Sequence, residues 1–388
     1  MIYDAIVAGS GPGGAVAAAT LAERGKSVLL VDRQGFPRDK VCGDGLPGNV
    51  MRMLDQQLGL DIRKAGLNHQ QIFGISIQAP AGYSLVVDEH AQTWYSMVSP
   101  RLDFDYMLHR HAISKGAKFE VMDIAGPLLS REGDSGRVVG VIERKGKTTV
   151  EHEGRVVIAA DGAGSSIARA LRGRVSDPKE TAIAIRAYAR VKKPLPEKPI
   201  VYFKYLLTLV PGYAWVFAAG KDRVNIGIGL FDQGVYKKRG ESLKHLLETF
   251  IAESSSDGFE VEPGSMKSWP IPCWISPESR AVQGAYLVGD AGRFVDALTG
   301  GGIYPAMVTG RLAAQSAVKF LDGMDRREAE ALYDDGWRNG IAKDLNKARR
   351  VQALVASKPL VFNGIFGIAA MAPSLRGRLL QALAGQHN

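Results

Sequence analysis

The hydrophobic pattern changes period twice within the first 32 residues. Residues 2 to 8 form an apolar run ending at Gly9, residues 12 to 25 are alanine-rich and read as a helix, and Lys26-Ser27-Val28-Leu29-Leu30-Val31-Asp32 reads as a second strand. A buried strand, a helix and another buried strand in that order predict a βαβ unit. Two later apolar runs, Arg155-Val156-Val157-Ile158-Ala159-Ala160-Asp161 and Gly284-Ala285-Tyr286-Leu287-Val288-Gly289-Asp290, each end on a small residue and an acid. Parallel strands do this where their carboxyl ends face a ligand. Between the βαβ unit and the last strand, residues 72 to 98 and 180 to 230 contain short β-rich stretches such as Thr181-Ala182-Ile183-Ala184-Ile185. After residue 302 the period becomes helical, from Ile303 to about Leu321, then from about Arg326 to Leu354, and in shorter pieces beyond.

These patterns predict an α/β chain with a discontinuous Rossmann-type nucleotide-binding domain at residues 1–70, 99–178 and 275–325. An inserted β-sheet substrate domain occupies 71–98 and 179–274, and a C-terminal helical region occupies 326–388. A chain of 388 residues exceeds one small core, which fits this division. Residues 359–375 carry no charge but include two prolines, Asn363 and two glycines. That is short and broken beside the roughly 20 apolar residues of a membrane span. It reads as core helices or a membrane-facing surface, with Arg376 and Arg378 suited to an acidic interface.

Composition narrows the classes. At 46% hydrophobic and 23% charged residues the chain is globular throughout. Its 49 basic and 40 acidic residues give a net charge of +9, which favours phosphate-bearing cofactors or acidic lipid surfaces. No nucleic-acid motif accompanies the clusters Lys237-Lys238-Arg239 and Lys347-Ala348-Arg349-Arg350, which read as solvated faces. Two cysteines, Cys42 and Cys273, make no disulfide framework, and the amino terminus reads as a strand rather than an export signal. The expected location is cytoplasmic, with peripheral membrane contact. The seven histidines are scattered without metal-ligand spacing; His109 and His111 are expected on the surface.

Gly9-Ser10-Gly11-Pro12-Gly13-Gly14 satisfies GxGxxG after a strand and before a helix. Its backbone N–H groups and the helix dipole suit a pyrophosphate. Asp32, followed by Arg33 at the end of the second strand, is placed to accept from ribose hydroxyls. This fingerprint does not separate FAD from NAD. Phe36-Pro37-Arg38-Asp39-Lys40-Val41-Cys42-Gly43-Asp44-Gly45-Leu46 then sets one thiol among glycines and cations. A tight backbone path beside a flat ligand and an ordinary loop with a buried thiol both fit this stretch. Tyr213, Trp215 and Phe217 alternate, so they share one face of a strand, which on residues alone reads as core packing.

Arg101 in Ser99-Pro100-Arg101, the turns Asp161-Gly162 and Gly289-Asp290, and Thr299-Gly300-Gly301-Gly302-Ile303 follow in order. Together with the fingerprint they resemble the FAD flavoproteins that include aromatic hydroxylases and related reductases. That resemblance implies a glutathione reductase-like FAD-binding domain. Arg101, Asp161, Gly162, Gly289 and Asp290 would lie about the cofactor, and Gly301, Gly302 and Ile303 would bring a helix amino terminus to the ring.

Within that superfamily the chain resembles the geranylgeranyl reductase family. The resemblance rests on residues 37–46, on Pro211-Gly212-Tyr213-Ala214-Trp215-Val216-Phe217, and on Gly289-Asp290-Ala291-Gly292 followed by Leu298-Thr299-Gly300-Gly301-Gly302-Ile303. Ala297 departs from the proline that many relatives carry there. The resemblance implies FAD-dependent saturation of isoprenoid double bonds on a lipid, quinone or pigment precursor, with Tyr213, Trp215 and Phe217 walling the prenyl pocket. It sets Cys42, Gly43 and Asp44 beside the flavin, with Cys42 as the catalytic candidate. The resemblance further implies that electrons come from NADPH or a ferredoxin-like protein. The alternative is a class A monooxygenase acting on an aromatic or natural-product substrate. A non-catalytic flavin-binding module is a third reading, which the full set of cofactor motifs disfavours.

Overall fold

A computed structural model of the protein describes residues 2–88, 96–131, 136–173, 180–206, 209–231, 240–254, 258–274, 276–358 and 364. The opening is the predicted βαβ unit: strand Tyr3–Ala8, helix Pro12–Glu23 and strand Val28–Asp32. Tyr3–Ala8 lies between Val28–Asp32 and Thr148–Ala159, with Lys118–Val121 beyond the former and Ala285–Leu287 beyond the latter. All four of these pairings are parallel. Both faces of this sheet are covered, by separate clusters about Val7, Leu30 and Ile158 on one side and Ile6, Leu29 and Val157 on the other. Burial on both faces explains why these strands read as continuous apolar runs.

Two boundaries differ from expectation. The strand expected from Arg155 begins at Thr148, because its first half leaves the parallel sheet and pairs antiparallel with Val138–Lys145. Thr148, Thr149, Val150 and Glu151 are exposed there, so they carry no apolar run. The helix expected from Arg326 to Leu354 is two helices, Arg326–Asn339 and Ala342–Ser357, separated at Gly340. The segment at 359–375, apart from Gly364, and the basic cluster at 237–239 lie outside the described residues.

A second, mostly antiparallel sheet runs in the order Phe259–Val261, Thr181–Val191, Arg223–Leu230, Tyr213–Ala218, Ile200–Lys204, Gly74–Gln78 and Ser84–Asp88, with Lys267–Pro272 also on Thr181–Val191. A third, small sheet joins Gly45–Leu46, Ser96–Val98 and Gln70–Ile72, so the residues just after Cys42 are anchored by backbone pairing. Helix Ala342–Ser357 spans the two large units. Its Leu345 packs with Trp274, Phe294 and Trp337, while Ala348 and Val355 pack with Trp215 and Phe217.

The fingerprint glycines work by close approach. Gly9 has φ +99, and a Cβ on Gly14 would stand 1.8 Å from the Gly9 carbonyl oxygen. Helix Ile303–Leu321 presses on the same spot: a Cβ on Gly310 would fall 2.1 Å from the Gly13 oxygen. Gly310→Ala is therefore expected to separate the two helices and cost about 1–3 kcal/mol of stability, read as a lower urea midpoint.

Candidate active site

The carboxyl ends of the parallel strands and one face of the second sheet enclose a cavity of about 560 Å³. Of the residues singled out in the sequence, Gly9, Gly11, Gly13, Asp32, Arg33, Cys42, Gly43, Arg101, Asp161, Gly162, Gly289, Asp290, Gly302 and Ile303 line it. So do Tyr213, Trp215 and Phe217. Gly14, Asp44 and Gly301 are not among the lining residues: Gly14 packs on Gly9, Asp44 is wholly buried behind the wall, and Gly301 is exposed.

At the fingerprint end, helix Pro12–Glu23 starts after Gly11 with no side-chain cap. Pro12 has no N–H, so Gly13 supplies the first backbone donor of this uncapped start, which lines the cavity and suits an anion. Asp32 is held in place by Ser10 N at 3.0 Å, Gln34 N at 3.2 Å and Arg38 Nη2 at 3.4 Å. Arg38 continues to Asp105 at 3.0 Å, and Asp105 also takes both Nε and Nη2 of Arg101, at 2.6 and 2.7 Å. Burial opposes charge on Arg101, but Asp105 and then Cys42 raise its pKa above the usual value. Asp105 and Arg38 were missed in the sequence as a fixed pair, because their partners lie 67 residues apart.

His109 corrects an expectation. It is only 7% exposed; its Nδ1 lies 2.9 Å from Ser10 Oγ and its ring stacks on Phe36 at 4.2 Å. Burial lowers its pKa, which favours the neutral ring, and the ring packs as part of the fingerprint's support. His111 on the same helix is half-buried rather than exposed.

At the opposite end, Tyr213, Trp215 and Phe217 project from strand Tyr213–Ala218 with Phe203 at 5.3 Å from Tyr213 and 5.1 Å from Phe217. Gly227 makes room for the indole: a Cβ there would stand 2.2 Å from Trp215 Cζ2. Core packing and pocket lining both hold, since these rings belong to a buried cluster and face the cavity. The Cys42 loop lies directly against them, with a Cβ on Gly43 at 3.2 Å from Phe217 and 3.3 Å from Trp215 Nε1. Thr299-Gly300-Gly301-Gly302 closes the same end. Asp296 Oδ1 accepts from Leu298 N and Thr299 N, both at 2.8 Å, and the Tyr213 hydroxyl donates to the Thr299 carbonyl.

A cationic flank completes the cavity. Lys40 lies over the Trp269 ring at 4.4 Å and Arg33 at 5.7 Å. Burial drives the Lys40 ammonium down to about 8, against the attraction of Asp290. Arg186, 1% exposed, donates to both oxygens of Asp39, at 2.7 and 2.9 Å. Its Nε and the Trp269 Nε1 are buried donors without an acceptor, and both residues line the cavity. Unfilled buried donors cost about 1–3 kcal/mol each, so the cavity suits a ligand rich in acceptors. An uncapped helix start, a strand-end carboxylate and these donors together fit FAD. Lys40, Arg186 and Trp269 were not picked out in the sequence; the run 36–46 held the signal for Lys40.

Cys42 is half-buried at the cavity, whereas Cys273 is 3% exposed and burial pushes its thiol up to about 12. Iodoacetamide is therefore expected to label Cys42 in FAD-free protein, to spare Cys273, and to be slowed at Cys42 by added FAD, as read by peptide mass spectrometry. Lys40 binds its proton less tightly folded than unfolded. The FAD-free protein should thus gain stability as pH rises from about 8 to 10.5, where the unfolded chain holds more protons. Lys40→Met should remove that part of the slope in urea titrations.

A family model described as an FAD binding domain matches residues 3–323. Digeranylgeranylglycerophospholipid reductase of Methanosphaerula palustris is 31% identical over 358 residues, covering 90% of this chain and 85% of its own. Menaquinone reductase of Mycolicibacterium smegmatis is 32% identical over 330 residues, covering 80% and 75%. Among solved structures, a geranylgeranyl bacteriochlorophyll reductase-like protein from Thermoplasma acidophilum superposes with a TM-score of 0.75 at 23% identity, over 98% of this chain and 99% of that one. A flavin-dependent brominase reaches the same TM-score at 22% identity, over 100% and 94%. At such identities these two structures speak for the fold. Among the described residues no helix is long and apolar enough to cross a membrane. With its uncapped helix after the glycine fingerprint, its carboxylate at the second strand end and a family match over most of its length, the chain belongs to the FAD-dependent oxidoreductases of the geranylgeranyl reductase family.

Proposed function

We propose that this protein saturates carbon–carbon double bonds of an isoprenoid chain carried by a lipid or quinone. The observation that carries this reading is the shared cavity: an aromatic wall of Tyr213, Trp215 and Phe217 faces the same space as the fingerprint and the Cys42 loop. A polyprenyl chain has no polar group to hold at the reacting bond, so extended apolar and aromatic surface must orient it. The names of the relatives at 31% and 32% identity support the same substrate class.

Bound FAD, when reduced, supplies the hydride equivalent that an alkene needs for addition of two hydrogens. Gly11 and Gly13 would hold its phosphates through their backbone N–H groups, Asp32 a ribose, and Asp290 with Gly300, Gly302 and Ile303 the part nearest the aromatic wall. The protein's own chemistry concerns the second hydrogen. Positive charge developing on the alkene is stabilised by the electron-rich faces of Trp215 and Tyr213. Cys42 is the proton donor in this reading, because it is half-buried and lines the cavity beside the wall. Cys273, buried and on a different strand end, has no such access.

Electrons reach the flavin from NADPH or a ferredoxin-like protein, and the substrate is met at a membrane surface. The exposed cations Lys343, Lys347 and Arg350 on helix Ala342–Ser357 suit acidic lipid headgroups. Incubation with dithionite and a geranylgeranyl lipid or a polyprenyl quinone under anaerobic conditions is expected to yield products heavier by two hydrogens per bond. Oxygen-dependent gain of an oxygen atom would instead establish the monooxygenase reading. Cys42→Ala is expected to retain FAD and lose turnover by about 10²–10⁴-fold; unchanged turnover would remove the thiol from the proton step.

A further inference from the structure

Asp44, which the resemblance places beside the flavin, makes a different set of contacts. Its Oδ2 accepts from the Tyr188 hydroxyl at 2.5 Å and from Asn225 Nδ2 at 2.8 Å. Its Oδ1 accepts from Arg101 N at 3.3 Å, and its carbonyl accepts from Ser99 N at 3.0 Å. Asn225 continues the chain in both directions: Nδ2 also donates to the Cys42 carbonyl at 2.8 Å, while Oδ1 accepts from Trp215 Nε1 at 2.9 Å. Tyr188 is held in turn between cations, with Arg223 at 3.8 Å and Arg186 at 4.4 Å from its ring.

Asp44 has φ +65 and no solvent exposure. A non-glycine residue keeps that conformation where its surroundings over-determine it. Four hydrogen bonds from three separate segments do so here. The consequence is geometric: one carboxylate fixes the backbone of the thiol loop, the start of helix Arg101–Ser114, and two strands of the substrate sheet. We propose that Asp44 is a positioning residue, locking the Cys42-Gly43 loop to the Trp215 wall through Tyr188 and Asn225, and that it does not bind the cofactor. The thiol loop and the aromatic wall are thereby held as one body, whatever occupies the cavity that both line. Burial pushes the Asp44 carboxyl up to about 6, against the pull of Tyr188, Asn225, Arg186 and Arg101.

The test reads loop position through the thiol. In FAD-free protein, Asp44→Ala and Tyr188→Phe should each raise the iodoacetamide rate at Cys42 by about five- to tenfold, the scale of one lost hydrogen bond. The Cys273 rate should not change, Asp44→Asn should fall between wild type and Asp44→Ala, and FAD affinity by fluorescence should stay within about threefold. Adding Tyr188→Phe to Asp44→Ala should have little further effect, since both act through one network. A second arm, which rests on the reductase reading, expects a raised KM for the prenyl substrate in Tyr188→Phe; the thiol arm stands without it. An unchanged Cys42 rate with FAD affinity lost would make Asp44 a cofactor ligand. Cys42 and Cys273 rates rising together would mean general loosening, and either result overturns the proposal. If Asp44→Ala does not fold, Tyr188→Phe carries the same comparison.

Discussion

A carboxylate with no access to water joins the two halves of this molecule. Leaving Asp44 unpaired in the interior would cost several kcal/mol, so its partners Tyr188, Asn225 and the Arg101 backbone are held as firmly as it holds them. Those partners sit on the second sheet and on the helix that follows the small sheet. The Cys42 loop, the start of helix Arg101–Ser114 and the sheet that carries the aromatic wall are therefore tied through one short network. The packing of helix Ala342–Ser357 against both hydrophobic clusters adds a second tie on another side.

Charge is distributed to match. Arg38, Asp32, Arg101 and Asp105 form one paired set at the fingerprint end, so the cations there are already compensated. Along the flank, Arg33 and Lys40 face the Trp269 ring, and Arg186 and Lys267 share Asp39. The aromatic wall carries no charged residue at all between Tyr213 and Ala218. The cavity thus grades from polar and cationic to apolar, as a ligand with phosphates at one end and a hydrocarbon contact at the other requires.

The parallel sheet was legible because strands buried on both faces produce unbroken apolar runs, and the fingerprint was legible because a strand-to-helix turn at close range demands glycine. Cys42 and the alternating Tyr213, Trp215 and Phe217 were also readable, the second as a strand face and the first only with help from resemblance. What sequence could not convey was pairing across distance. Asp44 stands beside Cys42-Gly43, yet its side chain turns away from the cavity toward residues 144 and 181 positions further on. His109 was expected at the surface because the pattern of its helix is not strongly one-sided, and its stacking on Phe36 comes from another segment. The break at Gly340 between two helices left the helical period nearly intact.

In the proposed reading one cavity holds FAD against the Cys42 loop and a prenyl chain against the aromatic wall, with Asp44 behind both. A crystal structure of the FAD-loaded protein with a geranylgeranyl lipid tests this most directly. The expected result is a flavin ring between the Cys42-Gly43 loop and Gly300-Gly301-Gly302, a prenyl chain in contact with Tyr213, Trp215 and Phe217, and Asp44 still bonded to Tyr188 and Asn225. A prenyl chain bound elsewhere, or a flavin contacted by the Asp44 carboxylate, would contradict it.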